Sequence, residues 1–353
     1  MTRTTALLLV VVGLAAASTA TAAFICNATT SATCRSLVAF HPSTTTTYGA
    51  VAGLFQVDLP SLLGANDLPA DTPSVGAVQS GARVLIPIRC RCSNGTGRSD
   101  GTPIYTVQDG DVGLLNITVA WFGNLTTYQE IAEVNRLPDA NVIQVGQSLW
   151  IPLPCSCDEV GGEETVHLAH VVAPGSSVDA IAAEFGTTPE TIIALNGNLD
   201  PSLLQAYQVL DVPLRACSSS IFNSSLDYGL RLANHSYALT AGGCVTCSCS
   251  AATYRLECAQ LERSLCPSPV TCGPNVFIGD TTPTSGCAAN TCAYAGYTNS
   301  SSGVVTISAV NATVTRTDCN DGGTDAGGGA SMKGINWSGV ALLVLHIVYV
   351  YFQ

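Results

Sequence analysis

Residues 105–157 open Tyr105-Thr-Val-Gln-Asp-Gly-Asp111 and continue through an apolar run to Trp121-Phe122-Gly123. A second run, Tyr128-Gln-Glu-Ile-Ala-Glu-Val-Asn135, follows, and the stretch closes on Gln147-Ser-Leu-Trp-Ile-Pro-Leu-Pro-Cys-Ser-Cys157. The order of apolar runs and turn residues reads as strand, helix, helix, strand. The same pattern lies on both sides, and cysteines punctuate the copies.

Downstream, Val166-His-Leu-Ala-His-Val-Val172 is the first strand of a third copy. Val178, Ile181, Ala182 and Phe185 then make the i, i+3, i+4, i+7 stripe of an amphipathic helix, capped by Ser177 and ended by Gly186. Thr188-Pro-Glu opens the next helix with Pro189 in its first turn, Asn196-Gly197 ends it, and Gln208-Val-Leu-Asp-Val-Pro213 is the closing strand. Upstream, the helices are Tyr48-Gly-Ala-Val-Ala-Gly-Leu-Phe55 and Leu59-Pro-Ser-Leu-Leu-Gly-Ala-Asn66, and the closing strand is Arg83-Val-Leu-Ile-Pro-Ile88. Phe55, Phe122 and Phe185 end the first helices, Asn66, Asn135 and Asn196 the second, and Pro87, Pro152 and Pro213 mark the last strands. The Asn-to-Pro step is 17 residues in the second and third copies and 21 in the first. Such self-similarity means three copies of one supersecondary unit. Each copy has a small core that needs staples, and Cys90-Arg-Cys92 and Cys155-Ser-Cys157 stand at the junctions.

Only 11% of the 353 residues are charged, and the net charge is −12. An acidic, Lys-poor surface argues against nucleic acid and against electrostatic adhesion to anionic lipid. A neutral ligand suits it better.

Sixteen cysteines suggest disulfides, given an oxidising compartment. Arg3, the apolar run from Ala6 to Ala17 and the small residues Ala20-Thr-Ala-Ala23 read as a secretory signal peptide over residues 1–23, rather than an N-terminal membrane helix. Sequons at Asn27, Asn94, Asn116, Asn124, Asn223, Asn234, Asn299, Asn311 and Asn336 agree with secretion. Residues 325–353 read as a glycosylphosphatidylinositol (GPI) attachment signal. They hold small residues between Asp325 and Ser331, with Gly328 as candidate anchor, then a polar spacer and a terminal apolar tail from Val340 to Phe352. The other reading of that tail is a short single-pass helix, which it is too short to favour against the ~20 apolar residues a span requires.

After Cys217 the chain turns rich in Ser, Thr, Gly and Asn, with ten cysteines from Cys217 to Cys319. It reads as a disulfide-stapled stalk of loops and strands. Zinc at Cys244, Cys247 and Cys249 is the alternative, since Cys-x-x-Cys is a ligand spacing, but secretion favours disulfides.

Catalytic signatures are missing from the pattern. Of five histidines, His167 and His170 fall on a strand at odd spacing and point to opposite faces, a poor metal site. A glycosidase needs two facing carboxylates. Asp109, Asp111, Glu130 and Glu133 are close in sequence, but read more simply as helix-start and surface carboxylates. No enzyme activity, cofactor or metal is expected.

The repeats resemble the lysin motif (LysM), a βααβ module that binds N-acetylglucosamine polymers. Three such units with Cys-x-Cys separators and a terminal GPI signal are similar to the chitin elicitor-binding protein family of grasses. The resemblance rests on Tyr128-Gln-Glu-Ile-Ala, Leu149-Trp-Ile-Pro-Leu-Pro-Cys-Ser-Cys157 and Cys244-Val-Thr-Cys-Ser-Cys249. It implies an α+β fold of three tandem βααβ LysM modules cross-linked by disulfides, then a Cys-rich, disulfide-stapled C-terminal region. The modules would occupy 24–92, 103–157 and 165–216, and the Cys-rich region 217–324. It implies the pairs Cys26–Cys92, Cys34–Cys157 and Cys90–Cys155, which spacing alone does not choose among 15 connectivities.

In a LysM module the sugar groove lies between the strand–helix and helix–strand loops. In the second unit these are Gln108, Asp109, Gly110, Asp111, Val112 and Leu137, Pro138, Asp139, Ala140, Asn141, Val142, Ile143. Chitin is uncharged, and its acetamides call for backbone donors and acceptors plus a few apolar contacts. Gly110 permits close backbone approach and Pro138 stiffens its loop. Leu137, Val142 and Ile143 would meet the methyls, with Ile143 foremost, unless it merely packs beneath the closing strand. Trp121, Tyr128 and Trp150 are expected to build the core. The third unit has matching loops, Ala173-Pro-Gly-Ser-Ser177 and Leu199-Asp-Pro-Ser-Leu203. The lengthened loop between Asn66 and Pro87 weakens the first unit as a sugar site. The resemblance implies a chitin-oligosaccharide receptor in defence against fungi, at the outer face of the plasma membrane. It would signal through a LysM receptor kinase and form homodimers on a long ligand. The alternatives are a peptidoglycan or lipo-chitooligosaccharide receptor of the same fold, or a wall-associated glycoprotein.

Overall fold

The computed structural model describes residues 24–26, 33–284, 288–301 and 303–315. The expected signal peptide, the GPI signal with Gly328, and the sequons at Asn27 and Asn336 lie outside them.

The first unit comprises β1 (Thr33–Phe40), β2 (Thr46–Thr47), α1 (Tyr48–Phe55), α2 (Leu59–Ala65), β3 (Ala77–Val78) and β4 (Val84–Ser93), extended by β5 (Thr96–Ser99). The second comprises β6 (Ile104–Thr106), α3 (Leu114–Ala120), α4 (Tyr128–Val134) and β7 (Ser148–Trp150). The third comprises β8 (Thr165–Val171), α5 (Val178–Phe185), α6 (Pro189–Leu195), a 3₁₀ turn at Pro201–Leu203 and β9 (Val209–Cys217). Strand, two helices and strand thus recur three times.

Local chemistry explains the helix limits. Ser177 Oγ accepts from the amide of Ala180, Val178, Ile181 and Ala182 are buried, and Gly186 ends α5 in a left-handed conformation at φ +67°. Thr127 and Glu130 make a reciprocal capping box on α4. Glu130 therefore folds back on the cap, half-buried, where the sequence placed it on the solvent face. Phe55 and Phe185 are the last residues of α1 and α5, whereas Phe122 lies just beyond α3.

The units share cores and a sheet. Phe40 meets Phe55 edge-on at 5.0 Å, Phe55 meets Phe122 at 5.7 Å, and Phe122 meets Tyr105 at 5.8 Å. This aromatic chain joins the first and second units in one core. β1 lies parallel to β8, with Leu37 beside Leu168, in a six-stranded sheet ordered β10-β9-β8-β1-β4-β5, where β10 is Leu232–Ala233. Leu37 and Ala39 thereby enter the core of the third unit, with Val178, Ile181, Ile192 and Leu210.

Disulfides join Cys26 to Cys92, Cys34 to Cys157 and Cys90 to Cys155. Cys90 and Cys92 point to the same face of β4, two residues apart, so one short segment is tied to two distant ones.

Beyond β10 come β11 (Tyr237–Thr240), β12 (Val245–Cys249), β13 (Leu256–Gln260), β14 (Thr271–Gly273), β15 (Val276–Phe277), β16 (Thr281–Pro283), β17 (Ala288–Asn299) and β18 (Val305–Thr315). This region is no stalk. It has its own core around Val245, Tyr294 and Ile307, and its β11 packs on α2. Among the described residues its bridges are Cys217–Cys249, Cys244–Cys266, Cys247–Cys258 and Cys272–Cys292. Cys244, Cys247 and Cys249 go to three different bridges, so none is a thiolate that could hold zinc.

Candidate functional site

In the second unit the β6–β7 ladder continues to the base of both loops. The Val107 amide donates to the Gln147 carbonyl and the Gly146 amide to the Val107 carbonyl, each at 2.9 Å. From there residues 108–112 lead to α3, and residues 137–143 return from α4. The Leu114 amide donates to the Ala140 carbonyl at 3.1 Å, so the tip of the second loop is fastened to the start of α3. Gly113, at φ +152°, holds a backbone conformation that residues with a side chain rarely adopt, while a Cβ there would meet the Ala140 oxygen at an ordinary 3.7 Å.

Asp111 organises the first loop. One carboxylate oxygen accepts from the Tyr105 hydroxyl and from the Gln108 amide, both at 2.8 Å, and the other accepts from the Trp121 indole at 3.1 Å. Burial, then the hydrogen bond to Asp111, push the Tyr105 phenol well above the usual tyrosine range, so it is a permanent donor. Asp139 does the same for the second loop, its carboxylate accepting from the Asn141 amide at 2.8 Å and the Asn141 side chain at 3.2 Å.

The structure divides the predicted site residues. Gln108, Asp109, Gly110, Val112, Pro138, Asp139, Asn141 and Val142 are exposed. Leu137, Ala140 and Ile143 are half-buried and pack against the core. Ile143 is thus at least partly a packing residue, half-buried against the core. Among the predicted residues the most accessible apolar side chains are Val112 at 80% and Val142 at 63%. Val145, 67% exposed, adjoins them and was not predicted; its apolar character in a turn was the available signal. Among the described residues, the amides of Asp109, Gly110, Val112 and Ile143 have no protein partner.

Trp121 and Tyr128 were expected in the core, but they are 41% and 37% exposed. Asp111 pulls the Trp121 indole onto the surface beside Tyr105, with ring centroids 5.8 Å apart. Trp150 is half-buried.

None of the carboxylates weighed for acid–base work forms a facing pair. Asp111 is held by three donors, Glu130 caps α4, and Glu133 lies on the surface 3.8 Å from Arg98. His167 is buried, with Asp211 2.7 Å from Nδ1 and the Asp158 carbonyl 2.7 Å from Nε2. Two acceptors on one imidazole call for two ring protons. Burial opposes the charge, but Asp211 and the Asp158 carbonyl outweigh it and raise the pKa above the histidine norm.

The first unit closes the corresponding space. β2 pairs with β3, Thr46 facing Val78 and Thr47 facing Ala77, and the Gly49 amide donates to Ser74 at 2.8 Å. Its lengthened loop lies across the start of α1.

Three units of strand, helix, helix and strand, with paired loops at one end, define a modular repeat protein. The LysM domain profile matches residues 120–152 and 170–213. The chain is 43% identical to the chitin elicitor-binding protein of Oryza sativa over 329 residues, covering 93% of this chain and 90% of that one. It is 45% identical to LysM domain-containing GPI-anchored protein 2 of Arabidopsis thaliana, covering 78% and 79%. It is 24% identical to chitin elicitor receptor kinase 1 of Physcomitrium patens, covering 48% of this chain and 25% of the kinase. The chain belongs to the family of plant LysM-domain proteins that includes the chitin elicitor-binding protein.

Proposed function

We propose that the protein is a non-enzymatic cell-surface receptor for chitin oligosaccharides, built from three LysM modules spanning 24–92, 103–157 and 165–216 and a Cys-rich region over 217–324. The observation that carries this reading is the groove of the second unit. Unpaired backbone amides there lie beside the exposed side chains of Val112 and Val142. Chitin offers the complement: acetamide carbonyls for the amides and methyls for the valines, with no charge to satisfy. The relative named chitin elicitor-binding protein, similar along nearly its whole length, supports the same ligand. The resemblance to a chitin elicitor receptor kinase supports signalling through a LysM receptor kinase, and a long oligomer would join two receptors.

Relatives named as GPI-anchored support a lipid anchor at the outer face of the plasma membrane, attached near Gly328. Among the described residues no helix is long and apolar enough to cross a membrane. The exposed sequons Asn94, Asn223, Asn299 and Asn311, with the half-buried Asn116, Asn124 and Asn234, would carry glycans.

Calorimetric titration with chitin octamer, beside peptidoglycan and lipo-chitooligosaccharide fragments, tests the reading. Saturable binding of the octamer with weaker competition by the other two is expected. Preference for either alternative, or hydrolysis of the octamer by the pure protein, would replace it.

A further inference from the structure

No charged residue stands between Asp111 and Glu130. That stretch holds α3, whose inner face is Leu114, Ile117 and Thr118. Its outer face is apolar as well: Leu115 is 60% exposed and Val119 47%, with the exposed Ala120 beside them. Leu115 and Val119 are four residues apart and so lie next to each other on the helix surface. Among the described residues, the other five α-helices expose no large aliphatic side chain. The outer positions of α4, α5 and α6 include Glu133, Asp179, Glu184 and Glu190 instead. An uncharged, water-facing strip of this kind on a secreted protein invites association unless something covers it.

The cover is written into the same helix. Asn116 opens the sequon Asn116-Ile-Thr118 and lies three and four residues before Val119 and Ala120, whose side chains lean back towards it. Asn135 and Asn141 of the same unit spend their side-chain amides on internal hydrogen bonds. Among the described residues the Asn116 amide makes none, so it is free to carry a sugar. Thr118 is buried, its hydroxyl donating to the Leu114 carbonyl at 2.9 Å. A transferase that must grip both ends of the sequon cannot do so once α3 has formed, so the sugar is added before the unit folds. Attachment joins Asn116 Nδ2 to C1 of the first N-acetylglucosamine, breaks the bond from that carbon to a polyprenyl pyrophosphate donor and releases an amide proton. Each pyranose has a face of C–H groups and a rim of hydroxyls. Laid on Leu115 and Val119, the C–H face takes the apolar side chains out of water while the rim stays wet. Neither this helix face nor the inner core of an N-glycan carries charge, so the two match electrostatically.

We infer that the N-glycan on Asn116 is a structural part of the second unit, seated on Leu115 and Val119 and closing the outer face of α3 to other partners. The inference rests on reading the chain as secreted and glycosylated, and is independent of the sugar groove. It gives Asn116 a different part from Asn311, which stands exposed on β18 with Ala309 and Thr313 on the same face of the strand.

The test compares the secreted, glycosylated wild type with Asn116→Gln, Asn311→Gln, the pair Leu115→Gln and Val119→Gln, and that pair combined with Asn116→Gln. Glycopeptide mass spectrometry reads occupancy, thermal unfolding reads stability, and anilinonaphthalene sulfonate fluorescence reads exposed apolar surface. Asn116 should be occupied in the wild type. Asn116→Gln should melt about 2–4 °C lower and bind more dye, and Asn311→Gln should do neither. In the Leu115→Gln, Val119→Gln background, Asn116→Gln should no longer change either reading. If Asn116→Gln alone is not secreted, its recovery in that background supports the seating and its continued failure overturns it. An unoccupied Asn116 overturns the glycosylation reading at this residue and the inference with it. Full occupancy with Asn116→Gln behaving as Asn311→Gln overturns the seating and leaves the glycosylation reading standing. A fully glycosylated wild type that dimerises in sedimentation, and stops doing so with Leu115→Gln and Val119→Gln, also overturns it and gives the face to a second copy of the chain.

Discussion

The side chain of Asn135 acts as a strand partner for the backbone of Trp150. Its oxygen accepts from the Trp150 amide at 2.9 Å and its nitrogen donates to the Trp150 carbonyl at 2.7 Å, while also reaching the Ile131 carbonyl at 2.8 Å. Asn66 holds Leu85 and Asn196 holds Asp211 in the same way. Each clamp ties the end of the second helix to the closing strand, and so fixes the span of the loop between them. Asn135→Ala would strand a donor and two acceptors, at a cost of about 2–3 kcal/mol. Urea denaturation should show a lower midpoint at unchanged slope. The fully buried Asn196 should respond more strongly than the half-buried Asn135.

That recurrence explains what could be read from the chain alone. The Asn and Phe positions were legible because each performs one job in every unit. The parallel pairing of β1 with β8 was not, since it joins strands some 130 residues apart and leaves no local periodicity. Trp121 and Tyr128 looked like core because aromatic residues in helical runs usually are. A hydrogen bond to a residue ten positions away decides otherwise for Trp121, and no spacing rule encodes it. The C-terminal strands are expected from the sequence only as part of a stalk, because short strands held by bridges show little of the alternation that marks a packed core.

Val142 and Ile143 separate binding from packing. Val142→Asp, at an exposed position, should weaken chitin octamer binding at least tenfold while changing stability by no more than about 0.5 kcal/mol. Ile143→Asp should weaken binding too, but should also cost about 1–3 kcal/mol because a carboxylate would be forced against the core. Calorimetry with thermal melting on both variants checks the contrast.

The value of each bridge should follow the length of chain it closes. Cys34–Cys157 spans 123 residues and Cys247–Cys258 spans 11. Loop-closure entropy makes the former worth about 2 kcal/mol more. Replacing both cysteines by serine in each pair, followed by thermal unfolding, should rank them in that order.

His167 and His170 lie three residues apart on β8 and titrate in opposite directions. His167 is raised above the ordinary 6.5 once Asp211 and the Asp158 carbonyl overcome its burial. Its stabilising contribution is complete below pH 6.5 and is lost as pH rises through the elevated folded value. His170 packs on Phe185 at 5.2 Å, and burial lowers it to about 4. The unfolded chain takes up that proton first, so stability falls as pH drops from 6.5 towards 4. Melting temperature against pH should therefore peak between the two limbs. His170→Phe should flatten the acid limb, and Asp211→Asn the alkaline one.

Gly64 decides whether the C-terminal region is seated on the first unit. In an exposed helix Gly→Ala stabilises by about 1 kcal/mol. Here a Cβ on Gly64 would lie 2.2 Å from the Tyr237 carbonyl oxygen, which is backbone and cannot swing aside. The Tyr237 hydroxyl also donates to the Leu68 carbonyl at 2.8 Å, so β11 is tied to the loop after α2 as well. The steric term outweighs the propensity gain. Gly64→Ala should lower the melting temperature and speed proteolysis between β9 and β11, where the covalent link is exposed at Phe222 and Leu226. Tyr237→Phe, which removes only the hydrogen bond, should cost about 1 kcal/mol and leave the proteolytic pattern unchanged. A stabilised Gly64→Ala protein would mean that β11 does not rest on α2.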